Sequence, residues 1–127
     1  MKTKFNFHKQ KFCDGLTEEK LKGLGFTNYY NPHWCFSRII NGQKNKKGNY
    51  SGSFTDSLVV TIDLKNIKKS DVEILDDAFC QPSIPFVEYY LNERTFESLT
   101  PYCQEGVKKC DEYIQWLVDN KVIYFEG

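Results

Sequence analysis

His33 and Cys35 lie two apart in this chain and could supply a base and a nucleophile. Residues two apart on a strand point to the same face, and a histidine beside a thiol can activate it as a thiolate. However, side chains two apart on one strand rarely come within hydrogen-bonding distance as a nucleophile and its base. The sequence nearby also shows no pattern for a strained turn or for a set of oxyanion donors. We interpret the pair as a core cysteine beside a half-exposed histidine, and an enzyme that uses Cys35 and His33 stays an alternative.

A second group of chemically competent residues is acidic and surrounds one predicted strand. Asp71 and Glu73 fall on its wet face, the pair Asp76 and Asp77 follows it, and Asp63 precedes it. Such carboxylates can bind a divalent metal or act as acid and base, but strand faces and turns also collect aspartates for ordinary reasons. We expect an acidic surface that docks a basic partner, with an enzyme that uses Asp76 and Asp77 as the alternative.

Cations and aromatic rings form a third group. Arg38 and the basic run from Lys44 to Lys47 could contact phosphates, and Trp34 and Tyr50 could stack on bases. The acidic second half of the chain argues against a broad groove for a polyanion. A small-ligand module that sequesters a nucleotide is therefore the second hypothesis, and a nucleic acid is a further candidate partner.

The chain lacks the motifs of several large enzyme classes. The patterns GxxxxGK(S/T), GxGxxG, GxSxG and HExxH do not occur in it. Nucleotide hydrolases, dehydrogenases, serine hydrolases and zinc proteases of the known kinds are therefore disfavoured. A zinc site needs about four ligands at compact spacing, and His33 and Cys35 are the only close-spaced ones. We expect no metal and no cofactor.

The composition indicates one small domain in a reducing compartment. The chain has 127 residues, which suits a single domain over residues 1–127, and 16% of them are aromatic, so few elements can bury a core. Its five cysteines are odd in number and include no CxxC, and no apolar run suits a signal peptide or a membrane span. We expect reduced thiols, a cytoplasmic location and no membrane partner.

Charge is unevenly distributed although the formal net charge is zero. Residues 1–50 carry ten lysines and arginines against three acids, whereas residues 51–127 carry seven against fourteen. Such asymmetry fits a polyanion partner for the basic half, but it also fits two halves that pack together and neutralise each other. We adopt the second interpretation because surface charge usually serves solvation.

Strands that alternate apolar and polar side chains must position these residues. An edge strand is predicted at Lys4–Lys9, followed by strands at His33–Ile40, Ser53–Leu64 and Asp71–Leu75. Short connections would join the last three as an antiparallel meander. The polar run from residue 41 to residue 49 is rich in glycine and asparagine, and we expect it to be a mobile loop.

Two helices are predicted from capping residues and periodicity. Thr17 caps a short helix with two glutamates in its first turn and with Gly23 or Gly25 at its end. Thr100 caps a longer C-terminal helix that has Pro101 at its first position. The apolar stripe of this longer helix has alternating four- and three-residue spacing and comprises Cys103, Val107, Cys110, Ile114 and Leu117.

The predicted fold class is α+β. Phe86–Leu91 should form one or two helical turns, Asn120 should end the C-terminal helix, and Val122–Phe125 should add a last strand. An antiparallel sheet of three to five strands would pack on the C-terminal helix, with the short N-terminal helix at its rim. The predicted core comprises Phe26, Trp34, Phe36, Leu58, Val60, Ile62, Val72, Ile74, Val107, Ile114 and Leu117.

The order of these features resembles that of a group of small uncharacterised proteins from phages and mobile elements of low-GC Gram-positive bacteria. The shared features are Gly25-Phe26-Thr27, Trp34, Thr61-Ile62, Leu75-Asp76-Asp77-Ala78-Phe79-Cys80-Gln81-Pro82 and the helix from Pro101. After Pro82 the chain departs, because Ser83-Ile84-Pro85-Phe86 stands where a Tyr-Asp-Tyr-like segment is usual. The resemblance implies a context, in which small proteins bind and block a host or defence component, and it implies no activity.

These features together favour a non-enzymatic binding protein of phage or mobile-element origin. It would bind and inhibit a host or defence macromolecule, foremost a protein, in the cytoplasm of the bacterial host, and its oligomeric state is open. The residues expected to contact the partner are Asp71, Glu73, Asp76, Asp77, Trp34, Arg38 and Tyr50.

Overall fold

The computed structural model of this chain describes residues 10–30, 33–44, 46–47, 50–76, 88–90 and 92–125. The elements in chain order are β1 (Gln10–Phe12), the N-terminal helix (Glu18–Gly23), β2 (Thr27–Tyr30), β3 (His33–Lys44), β4 (Tyr50–Asp63), β5 (Asp71–Asp76), the C-terminal helix (Pro101–Asp119) and β6 (Ile123–Phe125). Short 3₁₀ turns lie at Ile67–Lys69 and Phe96–Ser98.

The main sheet is an antiparallel meander in the order β2-β3-β4-β5, which confirms the predicted α+β class. Its register places apolar residues opposite one another on one face, because Trp34 pairs with Ile62 and Phe36 with Val60. Val60 in turn pairs with Val72 on β5. Side chains alternate between the two faces of a strand, so this face forms one wall of the core.

The C-terminal helix supplies the opposite wall. All five residues of the predicted stripe are buried, together with Gly106. The helix packs against β3, and its stripe joins the buried face of the sheet in one hydrophobic cluster. Every residue of the predicted core is buried except Ile74, which is half-buried and packs against the same cluster.

Both helices begin and end at the residues that the sequence predicts. The Thr17 hydroxyl accepts a hydrogen bond of 3.1 Å from the Lys20 N–H, and Thr100 accepts one of 3.3 Å from the Cys103 N–H. The N-terminal helix ends at Gly23, and Gly25 two residues later has a φ of 96°, a conformation that glycine adopts without strain. Asn120 caps the C-terminal helix.

The first hairpin of the main sheet extends beyond its predicted length. β3 continues through the run that we expected to be a mobile loop, since Asn41 pairs with Asp56, Gly42 with Thr55 and Lys44 with Tyr50. Asn41 and Gly42 are buried, so the loop prediction is wrong for residues 41–44. Backbone hydrogen bonds to β4 continue the ladder there, and the register shifts between Ile39 and Asn41 and again between Gly42 and Lys44.

A second, two-stranded sheet joins the two ends of the described chain. β1 pairs antiparallel with β6, so Gln10 lies opposite Phe125 and Phe12 opposite Ile123. The last strand was predicted, whereas its pairing with β1 was not. The strand predicted at Lys4–Lys9 lies outside the described residues. Residues 77–87, which include Gln81-Pro82 of the resemblance motif, also lie outside them. Residues 88–90 are helical, as expected for that segment.

Candidate functional site

A groove lies between β3 and the C-terminal helix. It has a volume of about 370 Å³ and is lined by Phe36, Arg38, Glu112, Tyr113 and Trp116. We call these five residues the aromatic groove. Three of the five carry aromatic rings and the other two carry opposite charges, so the groove offers apolar contact and both signs of charge.

Two regular elements position the lining residues. Phe36 and Arg38 are two apart on β3 and therefore point to the same face of the sheet, which is the face covered by the C-terminal helix. Tyr113 and Trp116 are three apart on that helix and are neighbours on its surface. They lie beside the buried stripe and are half-buried, so their rings extend the core toward solvent.

The rings in the groove stack on one another. The Phe36 and Trp116 rings lie almost parallel, with centroids 5.2 Å apart and an interplanar angle of 12°. Phe26 packs against Phe36 from within the core, with its ring centroid at 5.1 Å. Aromatic pairs in this arrangement contribute roughly 0.5–1.5 kcal/mol beyond the area they bury, so the groove has a rigid floor.

Arg38 is held against this floor. Its guanidinium carbon lies 4.0 Å from the centroid of the Phe36 ring, and its Nη1 donates a hydrogen bond of 2.8 Å to the backbone carbonyl of Ser37. Among the residues that the structure describes, no carboxylate pairs with this guanidinium. A guanidinium has five N–H donors in a planar fork, so Arg38 retains donors for a ligand in a fixed orientation.

Trp34, which we expected to contact a partner, belongs to the core. It is only 3% exposed, because the apolar face of β3 lies under the helices. The ammonium of Lys22 on the N-terminal helix lies 5.8 Å from the centroid of its ring. Trp34 therefore meets the core prediction and presents no ring to a partner.

The predicted acidic surface and Arg38 lie on opposite faces of the sheet. Asp71 and Glu73 are exposed and pair across the sheet with Thr61 and Val59, which point away from the helices. Arg38 instead lies opposite Leu58, on the helix side. The predicted set of contact residues therefore does not form one surface.

The structure describes the other three predicted contact residues incompletely. Asp76 ends β5 opposite Asp56, and Tyr50 begins β4 opposite Lys44. The structure describes only the backbone of these two residues, and Asp77 lies outside the described residues. The acid–base alternative at Asp76 and Asp77 stays a prediction.

His33 and Cys35 lie on the outer face of the sheet, and His33 contacts a different residue. His33 Nε2 is 3.7 Å from Asp63 Oδ2, while Asp63 Oδ1 accepts hydrogen bonds from the backbone N–H groups of Lys65 and Asn66. Asp63 therefore closes the turn after β4. Cys35 is half-buried opposite Thr61, so its interpretation as a core residue is wrong. No hydrogen bond joins the His33 ring to the Cys35 thiol.

The thiols of the C-terminal helix are part of the core. Cys110 is fully buried, and burial raises the pKa of its thiol to about 12. Cys103 is buried on the same stripe. Within the described ranges, no group of three or more His, Cys, Asp or Glu side chains is placed to hold a metal ion.

Of the five groove residues, only Arg38 was predicted to contact a partner, and Phe36 was predicted as a core residue. Glu112, Tyr113 and Trp116 were given no functional role. The available signal was the pair of aromatic residues three apart, immediately beside an apolar stripe. This signal identifies rings at the border of a buried face, but it does not show that β3 lies opposite them.

Two further findings concern the chain as a whole. No helix in the described part of the chain combines the length and apolar character needed to cross a bilayer. Comparison with known protein families, with curated proteins and with solved structures finds no match for this chain.

Proposed function

We propose that this chain is a non-enzymatic binding protein that uses the aromatic groove to hold a protein partner. The observation that carries the proposal is the half-buried Arg38, which stacks on Phe36 and has no acidic partner in the described structure. Trp, Tyr and Arg are the residues most enriched at the energetic centres of protein interfaces. All three types line this groove.

The shape of the groove supports a macromolecular partner over a small ligand. Small-molecule sites usually enclose most of the ligand surface, whereas this groove is open to solvent along the border of the helix. An open groove with a rigid aromatic floor suits a side chain that a larger molecule projects into it. The bound partner would then supply the rest of the contact area.

The biological context of the proposal comes from the sequence resemblance. A small protein of phage or mobile-element origin can inhibit a host or defence protein by covering a surface that this protein needs. Such inhibition requires affinity and no chemical step. The five groove residues include no thiol, serine or histidine, which fits a role in binding.

A nucleotide is the second candidate, and the charges of the groove favour it. Arg38 could contact a phosphate, the Trp116 ring could stack on a base, and the Glu112 carboxylate could accept hydrogen bonds from its edge. Against this stands the openness of the groove, which would leave much of the nucleotide in water. Titration of the protein with nucleoside monophosphates, followed by the indole N–H signal of Trp116 in NMR spectra, distinguishes the two candidates.

The proposed function is tested by capture of partners from a lysate of the bacterial host. Trp116→Ala, which removes the half-buried ring of the groove, and the charge reversal Arg38→Glu, which removes its oriented cation, should each abolish a capture that the unaltered protein shows. The matched control is Tyr124→Ala, which removes a 42% exposed ring from β6, away from the groove. Equal capture by all four proteins would contradict the proposal, and circular dichroism confirms that each variant is folded.

A further inference from the structure

We propose that the segment bound in the aromatic groove is a peptide of the partner protein that carries one carboxylate beside a large apolar side chain. The inference rests on the proposed function and adds the chemistry of the partner. Three features of the groove carry it, namely the donors of Arg38, the position of the rings and the charge of Glu112.

The first feature is an oriented cation that pairs with no carboxylate in the part of the chain that the structure describes. The Phe36 ring at 4.0 Å and the Ser37 carbonyl at 2.8 Å from Nη1 fix the plane of the Arg38 guanidinium. A guanidinium that is already oriented loses little rotational freedom when it binds a carboxylate, and the two can join through two parallel hydrogen bonds. A carboxylate therefore complements this position better than a neutral group does.

The second feature is the distance from that cation to the apolar floor. The Phe36 ring contacts the Arg38 guanidinium and also stacks on Trp116, with ring centroids 5.2 Å apart. The apolar surface of the groove therefore begins directly beside the guanidinium. Successive residues of an extended peptide advance about 3.3 Å along its axis. A residue adjacent to the carboxylate-bearing one, or two positions away, would thus lie over the rings of Trp116 and Tyr113.

The third feature is the negative charge on the opposite wall. Glu112 is exposed at the groove, one residue before Tyr113 on the C-terminal helix. It would repel a second acidic group that approaches from the helix side. The groove therefore selects one carboxylate flanked by neutral or basic residues, and it disfavours acidic runs and the repeated phosphates of a nucleic acid.

A library of random linear peptides, selected by mRNA display against the whole chain, tests this inference. Peptides enriched on the unaltered protein should carry Asp or Glu within two positions of Trp, Phe, Leu or Met. One such peptide should bind about tenfold more weakly, or worse, to Arg38→Met, because a hydrogen bond to a charged group contributes about 1.5–3 kcal/mol. Lys68→Met, which removes a cation from the exposed turn after β4, should leave its Kd unchanged.

The peptide itself provides a test that does not depend on the folding of a variant. Replacement of its acidic residue by the matching amide should weaken binding to the unaltered protein by the same factor as Arg38→Met. The two changes together should cost no more than either alone, since both remove one interaction. Equal affinity of the acidic and amide peptides would overturn the inference.

The outcomes separate the inference from the function on which it rests. Enriched peptides that lose binding to Trp116→Ala but show no acidic preference would overturn the inference and leave the proposed function standing. Peptides that bind Trp116→Ala unchanged, or a selection that enriches none, would overturn both. Displacement of the peptide by guanosine or adenosine monophosphate at a lower Kd than its own would reassign the groove to a nucleotide.

Discussion

The phenolic oxygen of Tyr90 lies 2.7 Å from Oδ1 of Asp111 and donates a hydrogen bond to it. This contact ties helical residues 88–90 to the C-terminal helix, on which Asp111 lies next to the fully buried Cys110. Tyr90 is itself only 3% exposed. The contact therefore joins the segment before the C-terminal helix to the middle of that helix.

Tyr90→Phe should destabilise the protein by about 1–2 kcal/mol, because it removes a buried hydrogen bond without changing the shape of the ring. Urea denaturation followed by circular dichroism measures the change. Tyr113→Phe is the matched control, since the Tyr113 ring lies half-exposed in the aromatic groove. Equal stabilities of the Tyr90→Phe variant and the unaltered protein would show that the contact contributes nothing.

Stability should fall at alkaline pH in a window that Cys110 defines. Burial raises the pKa of its thiol from 9.0 to about 12. Below pH 9 the thiol is protonated in both states, and between pH 9 and about 12 the unfolded chain loses a proton that the folded chain keeps. The folded state therefore loses about 1.4 kcal/mol per pH unit from this group across the window.

Cys110→Ala isolates the contribution of this thiol to the pH dependence of stability, because the variant has no thiol at position 110 to titrate. The slope of unfolding free energy against pH should be shallower in the variant between pH 9 and 12, whatever the variant's absolute stability. Burial also raises the pKa of Tyr90, and the neighbouring Cys110 raises it further, so the two proteins are compared in a Tyr90→Phe background that lacks this phenol. Identical slopes would show that Cys110 is not protonated and buried as described.

Gly25→Ala should destabilise the protein by about 1–2 kcal/mol, because the backbone at Gly25 has a positive φ. The φ of 96° at Gly25 strains any L side chain, and an added Cβ would lie 3.4 Å from Nη2 of Arg38. Gly23→Ala is the matched control, since Gly23 lies in the N-terminal helix and an added Cβ there would meet no atom within 4 Å beyond its chain neighbours and its own helix backbone. Thermal denaturation should show that variant to be as stable as the unaltered protein or more so.

Thr100→Ala should destabilise the protein by about 1 kcal/mol, because it removes the hydroxyl that accepts the Cys103 N–H at the start of the C-terminal helix. Thr95→Ala should have a much smaller effect. Thr95 precedes the 3₁₀ turn at Phe96–Ser98, and its side chain makes no capping hydrogen bond there. Urea denaturation of the two variants compares them directly, and equal losses would contradict the capping role of Thr100.

The helices and the meander were predictable because each depends on a local pattern. Thr100, Pro101 and Asn120 mark the ends of the C-terminal helix through capping chemistry, and its stripe follows the helical period. The extension of β3 past Ile40 was not predictable in this way. Asn41 and Gly42 have low strand propensity, and what keeps them in the strand is their pairing with β4, which the chain makes only once it has folded.

The candidate site was less predictable than the fold. Arg38 was a predicted contact residue, but alternation on β3 alone could not show that Arg38 and the acidic residues of β5 occupy opposite faces. Glu112, Tyr113 and Trp116 come close to Arg38 through the packing of the C-terminal helix on β3. Tertiary packing of this kind is not encoded in the spacing of either segment alone.

The pairing of β1 with β6 has a consequence for the order of folding. It closes a loop from Gln10 to Phe125, whereas each hairpin of the meander closes over neighbouring strands. The entropy lost on closing a loop grows with its length, and contacts distant in sequence form slowly. The two-stranded sheet of β1 and β6 should therefore form last and open first. The amide protons of Lys11 and Tyr124 should then exchange with deuterium earlier than those at the centre of β4.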